Sequence, residues 1–348
     1  MNIIFDGIIE KLQSNGGCTV YFNELLTNFD VDNNDVVYID YSDSTGSIRN
    51  NLSEQIKVSS VDTIRFAERW RDVDLFKAST NSIFHSTHYR LAKQKVKTVT
   101  TVHDFTYELY RKGPAKWMHS WQKFRAIRNS HLVICVSQNT ADDLMKFCPI
   151  DPTKIRVVYN GVSSDYYPLD NTEQTKEVVF IGARGWYKNF TLAVQTLKHQ
   201  PDLTLSIVGG GKLSDEELQL LEATIPGRYE WLGRLTDEQL NKLYNRAHCL
   251  FYPSSYEGFG IPVIEAMRSG CPVIAVNVSS IPEVAGSAAI LTQQADVASF
   301  NQAFSTLDNQ QVRSDIIQKG FQQASRFSWE KCYQDTLAVY QELDAISL

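Results

Sequence analysis

Short apolar runs alternate with helix-patterned stretches from one end of this chain to the other. A short, mostly apolar run of three to six residues marks the centre of a strand buried on both faces. Strands of that kind, separated by helical segments, build parallel sheets with crossover helices. In the first half the runs fall at 2–5, 36–39, 82–84, 98–101, 132–135 and 156–158. In the second half they fall at 177–181, 203–208, 229–231, 249–252, 273–275 and 288–291. Each set predicts one doubly wound sheet. Tyr159-Asn160-Gly161-Val162 and then Tyr166-Tyr167-Pro168-Leu169-Asp170-Asn171 read as the linker. A length of 348 residues suits two domains of about 150–200 residues each. We expect them over 1–165 and 172–326, with a terminal segment over 327–348 that opens a helix at Ser328-Trp329. The expected class is α/β, two Rossmann-like parallel-sheet domains facing across a cleft, where such folds bind ligands.

The densest chemistry lies in Tyr256-Glu257-Gly258-Phe259-Gly260-Ile261-Pro262-Val263-Ile264-Glu265. Leu250–Tyr252 reads as a strand entering this loop, and Pro262 fits the first turn of a helix leaving it. Glu257 then stands in the loop and Glu265 about one turn inside the helix. The helix start offers N–H groups and the positive end of a dipole. That layout suits an anion flanked by hydroxyl groups, as in a nucleotide-sugar. An ordinary turn followed by a solvated first-turn glutamate is the alternative.

Composition limits the partners. The net charge of −6 gives no reason to expect nucleic acid. The charge is uneven, however. Residues 61–130 hold fourteen Lys/Arg against six Asp/Glu, leaving the remainder near −14. Within 111–128 the cations Arg111, Lys112, Lys116, Lys123, Arg125 and Arg128 are interleaved with Trp117, Trp121 and Phe124. Two readings stand: a solvated basic helix whose aromatic residues pack into the core, or peripheral contact with an anionic membrane. Six cysteines are scattered without ligand spacing, as expected of reduced buried thiols in a cytoplasmic protein. The N-terminus lacks the basic start of a signal peptide, and no apolar run reaches the length of a membrane span.

Glu257 and Glu265 match the E-x7-E signature of the family 4 retaining glycosyltransferases. The resemblance extends through Gly270-Cys271-Pro272-Val273-Ile274-Ala275 and Ser280-Ile281-Pro282-Glu283-Val284. It is close in the second half and looser in the first. It implies a GT-B fold, a final helix crossing back to the first domain, and transfer of a sugar from a nucleoside diphosphate to a saccharide or lipid-linked acceptor. It also implies residue roles. Arg184 and Lys188, in the loop after the strand at 177–181, would clamp the donor diphosphate, where fixed cations stabilise the leaving charge. Gly16 and Gly17 would face its phosphates; a plain turn is the residue-level alternative. Gly209 and Leu235 would lie beside the nucleoside. The backbone of Gly258, Phe259, Gly260 and Ile261 would receive phosphate. Glu265 would take the ribose hydroxyls and Glu257 the transferred sugar.

His103, at the end of the strand at 98–101, would sit close to that sugar, with Asp104 fixing its tautomer. His85 and His88 either line an acceptor pocket or serve packing. Val208-Gly209-Gly210-Gly211 is no dinucleotide fingerprint, because Ser214 stands where the third glycine belongs. Asp72-Val73-Asp74 resembles a metal-binding tripeptide of another fold, and no metal is expected. Gly16–Phe22 and Tyr187–Phe190 look like the corresponding segments of enzymes that build bacterial surface polysaccharides such as lipopolysaccharide. The rival readings are a non-catalytic nucleotide-sugar-binding subunit and a nicotinamide-dependent oxidoreductase. Placement is expected in the cytoplasm, with the inner face of the cytoplasmic membrane as the alternative.

Overall fold

The computed structural model describes residues 1–13, 16–29, 35–41, 48, 52, 56–61, 67–75, 79 and 81–346. The chain divides into two compact units. Met1–Gly161 and Trp329–Leu348 form the first, and Val162–Ser328 form the second. The residues from Val162 onward that the sequence suggests as linker therefore belong to the second unit.

The first unit holds seven parallel strands. They are β1 (Asn2–Asp6), β2 (Asp35–Tyr41), β3 (Lys57–Val61), β4 (Ile83–Ser86), β5 (Lys97–Val102), β6 (Leu132–Cys135) and β7 (Ile155–Val157), in the order β3-β2-β1-β4-β5-β6-β7. The sequence predicts six of these strands and misses β3. That strand lies at the sheet edge and is almost wholly solvent-facing, so it lacks the apolar run that marks a buried strand. β1, β4, β5 and β6 are buried nearly throughout.

Chain order reverses between β1 and β4, where one guanidinium ties the strand ends together. Arg90 is 1 % exposed. It donates to Asp6 Oδ1 at 3.0 Å, to Glu68 Oε1 at 2.5 Å, to the Arg71 carbonyl at 2.8 Å and to the Tyr41 hydroxyl. Burial pushes the Asp6 carboxyl up, and the adjacent Arg90 opposes that rise. The turn Glu68–Trp70 is thereby fixed to the sheet.

The helix Trp329–Asp344 belongs to this unit. Tyr340 is fully buried; its hydroxyl meets His85 Nδ1 at 2.5 Å, and His85 Nε2 meets Thr101 Oγ1 at 2.9 Å. His85 is thus a core group, held neutral by burial, which lowers its pKa to about 3.

The second unit holds six parallel strands: β8 (Glu177–Ile181), β9 (Thr204–Val208), β10 (Tyr229–Gly233), β11 (Cys249–Tyr252), β12 (Val273–Val276) and β13 (Ile290–Thr292). Their order is β10-β9-β8-β11-β12-β13. The helices Phe190–Leu197 and Val297–Leu307 bury Phe190, Val194, Leu197, Phe300 and Phe304 against this sheet. Chain order reverses between β8 and β11, and ligands of doubly wound sheets bind at the carboxyl ends of the strands flanking such a reversal.

Candidate active site

The loops after β8 and β11, with the helix Ile261–Arg268 that leaves the second, carry most of the sequence-predicted residues, and both loops open at that reversal. They are stitched together by backbone and amide bonds. Ser255 N donates to the Tyr187 carbonyl at 2.7 Å. Asn189 Nδ2 donates to the Pro253 carbonyl at 2.8 Å and to Ser255 Oγ at 2.7 Å. The result places Lys188 against Glu257, with Nζ to Oε1 at 2.5 Å and side-chain exposures of 11 % and 12 %. Lys188 also donates to the Tyr252 hydroxyl at 3.1 Å. The Glu257 loop rests on the turn after β12: Glu257 N donates to Ser279 Oγ at 2.9 Å, and Ser280 Oγ donates to the carbonyls of Glu257 and Phe259 at 3.0 and 2.9 Å.

Gly260 caps the helix Ile261–Arg268 with φ +98°, and Pro262 lies in its first turn. At that φ any side chain is strained, so the backbone conformation requires glycine. The first turn of a helix leaves N–H groups without intrahelical partners, and here it follows directly on Gly258 and Phe259.

Glu265 stands one turn further in and is partly buried. Tyr244 donates to its Oε2 at 3.4 Å. The Tyr166 hydroxyl donates to Asp237 Oδ1 at 3.0 Å and adjoins the Glu265 carboxyl. Burial, aided by the Asp237 charge, raises the Glu265 pKa to about 8. A carboxyl held this way is a proton-bearing group at neutral pH, poised to accept hydroxyl donors once ionised. Tyr166 and Tyr244 were not singled out by the sequence. Nothing in their spacing links them to Glu265.

Gly209 and Leu235 sit on neighbouring loops after β9 and β10. Gly209 N donates to the Gly233 carbonyl at 2.7 Å, and Gly182 N to the Val208 carbonyl at 3.0 Å. Arg184 is engaged here rather than with Lys188. It donates to Glu217 Oε1 at 2.8 Å and to the carbonyls of Gly209, Gly211 and Lys212 at 2.9, 3.1 and 2.8 Å. As folded, its guanidinium staples the glycine loop, and contact with a ligand phosphate requires an exchange of partners.

In the first unit, His103 follows β5 and lines a cavity of about 340 Å³ together with Gln13, Cys18, Arg69, His88, Tyr107 and His119. Among the described residues its buried Nε2 has no hydrogen-bond partner, and neither has His88 Nδ1. Burial lowers His103 to about 4 and His88 to about 3, so both are neutral hydrogen-bonding groups near pH 7. Asp104 Oδ1 accepts from Thr106 N at 2.8 Å and acts on His103 through its charge. Gly16 and Gly17 open the helix Gly17–Phe29, whose Cys18 reaches the cavity wall. His119, Arg69 and Tyr107 were missed from sequence, because three separate segments supply them.

Asp72 is held by Arg125 through two 2.7 Å bonds, and Asp74 by Lys93 and Gln94 at 3.0 and 2.7 Å. Among the described residues no group of three His, Cys, Asp or Glu could hold a metal ion. All six cysteines are free, five of them buried. Among the described residues no helix is long and apolar enough to cross a membrane.

Two parallel sheets in Rossmann strand order are the architecture of the GT-B fold. A family model described as Glycosyltransferase Family 4 matches residues 16–166, and one described as Glycosyl transferases group 1 matches 168–323. The chain belongs to glycosyltransferase family 4. It is 30 % identical over 284 residues to an O-antigen chain mannosyltransferase B of Escherichia coli, covering 75 % of this chain and 74 % of that one. It is 28 % identical over 239 residues to an O-antigen chain mannosyltransferase of Salmonella typhimurium, covering 67 % of each. The fold is also that of a sucrose-phosphate synthase from Thermosynechococcus elongatus, with TM-score 0.81 at 17 % identity over 100 % of both chains. A structure of Anabaena HepE with UDP and glucose aligns with TM-score 0.74 at 16 % identity, over 99 % of this chain and 100 % of that one.

Proposed function

We propose that this glycosyltransferase moves a hexose, with retention at the anomeric carbon, from a nucleoside-diphosphate sugar to a saccharide or lipid-linked saccharide. The work is done in the cytoplasm during assembly of a surface polysaccharide of the O-antigen type. Mannose is the first sugar to test, because curated relatives bear that activity in their names. The observation that carries the donor reading is the Lys188–Glu257 pair beside the start of the helix Ile261–Arg268, with Glu265 one turn inward. A diphosphate fits the cation and helix start, ribose hydroxyls fit Glu265, and sugar hydroxyls fit Glu257.

In the proposed reaction the bond between the anomeric carbon and the phosphate oxygen breaks. The acceptor oxygen attacks from the same face, and the departing phosphate takes its proton. Lys188 stabilises the charge that grows on the leaving group. His103, neutral at working pH, hydrogen-bonds a hydroxyl of the transferred sugar. The reading requires no metal, since Lys188 and the helix start carry the phosphate charge.

The test is a melting-temperature panel with UDP, GDP, dTDP and ADP and their sugars, without metal. A ligand that binds only the folded state raises the melting temperature. A rise with one nucleotide family, lost in Glu265→Ala, supports the reading. No rise with any of them overturns the donor assignment. Product NMR with an α-linked donor then tests retention: a β-linked product overturns it.

A further inference from the structure

The helix Pro114–Asn129 is inside out. A surface helix ordinarily buries apolar residues and shows polar ones to water. Here the buried face carries His119, Ser120, Gln122 and Lys123 beside Ala126 and Ile127. Lys123 is 0 % exposed and is satisfied by Glu108 Oε2 at 2.7 Å and the Asp104 carbonyl at 2.9 Å. The outward face carries Trp117, 74 % exposed, Met118 at 48 % and Trp121 at 55 %. Trp117 and Trp121, four residues apart, share one stripe. The aromatic residues that could have packed into the core are therefore directed away from it.

A second segment joins this face. Gln122 Nε2 donates to the Arg69 carbonyl, and Arg125 grips Asp72 with two bonds. These contacts fasten the turn Glu68–Trp70 to the helix, and Trp70 is itself 40 % exposed. The surroundings are cationic. Arg71, Arg111, Lys112 and Arg128 are exposed. No Asp or Glu occurs from Leu109 to Ala141, and two carboxylates that pack against the helix are already matched, Asp72 by Arg125 and Glu108 by Lys123.

We propose that this face docks on an anionic phospholipid surface. Indole rings favour the headgroup boundary, and lysine and arginine are drawn to anionic lipid. A cationic face with three indoles and a methionine combines both requirements. Turn and helix also supply Arg69 and His119 to the cavity that holds His103, so the docking face and the cavity share their supports.

The test uses the full chain with phosphatidylcholine vesicles made with and without phosphatidylglycerol. Co-sedimentation is expected only with phosphatidylglycerol, weakening as salt rises. Trp117→Ser with Trp121→Ser should weaken it about tenfold, while leaving the melting temperature and any transfer to a water-soluble acceptor unchanged. Arg111→Glu with Lys112→Glu should weaken it by at least about fivefold per charge. Equal sedimentation of wild type and the tryptophan variant overturns the proposal, as does no binding to anionic vesicles. A dimer in solution that Trp121→Ser dissolves overturns it as well, because a second copy then covers the face.

Discussion

Replacing Glu265 by glutamine should stabilise the protein while abolishing nucleotide binding. The carboxyl is held with Tyr166, Tyr244 and Asp237 around it, and its pKa is raised from the ordinary 4.5 to about 8. Below 4.5 both folded and unfolded states carry the proton and the carboxyl costs nothing. Between 4.5 and about 8 only the folded state holds it, so stability falls as pH rises. Above about 8 the loss is complete. Each pH unit in that window is worth about 1.4 kcal/mol, which sets a ceiling near 3.4 kcal/mol at pH 7. Glu265 keeps some surface, and solvent there reduces the figure to roughly 2 kcal/mol. Glutamine has the same shape and no charge to lose.

The assay is thermal unfolding of wild type and Glu265→Gln from pH 5 to pH 9. The curves should lie close at pH 5, diverge steadily and run parallel above about pH 8. At pH 7 the transition of the second unit, Val162–Ser328, should lie about 5 °C higher in the variant. The variant should also show no rise in melting temperature with nucleotide. Parallel curves across the whole range would refute the burial argument, and a variant that still binds nucleotide would refute the role assigned to the carboxyl.

Three further outcomes are expected. Lys188→Ala should lower kcat/KM for transfer about a hundredfold, because it removes the cation on the leaving group, and should lower the melting temperature as well, because the mostly buried Glu257 is left without that partner. His103→Ala should lower kcat by roughly ten- to a hundredfold without altering the nucleotide-induced melting shift. Since burial holds His103 near 4, the rate profile of the wild type should carry no limb from it between pH 6 and 8. Arg90→Met should destabilise the first unit by about 3–5 kcal/mol, read by urea unfolding, because Asp6 and Glu68 are left buried without their cation.

Buried parallel strands such as β6, β11 and β12 were plain in the sequence because each is a continuous apolar run, as Leu250-Phe251-Tyr252 shows. Pro262 and the glycines before it marked a helix start, and that alone placed Glu257 in a loop and Glu265 on a helix. β3 escaped notice because an exposed edge strand needs no apolar face. The pattern at 111–128 could not say which face of its helix is buried. That was decided by Glu108 and the Asp104 carbonyl drawing Lys123 inward, a contact between residues 15 and 19 positions apart. Arg184 was legible as a cation in the right loop, but its carbonyl partners lie 25 to 28 residues away. The cavity around His103 was the least legible feature, since His88, His119 and Arg69 meet only through the sheet and the Arg90 network.

The helix Trp329–Asp344 completes the unit that begins at Met1. Its Tyr340 fills a slot against Phe5, Phe29 and His85. A ribosome emits the chain at about 5–20 residues per second, and domains ordinarily fold in order of emergence. Here that order is inverted. The second unit is one continuous stretch and can close as soon as it emerges. The first must wait, its core open beside Phe5, until the final helix arrives. A chain cut short after Ser328 would therefore damage the part of the protein made first, and the exposed slot would be a target for chaperones and proteases during every round of synthesis.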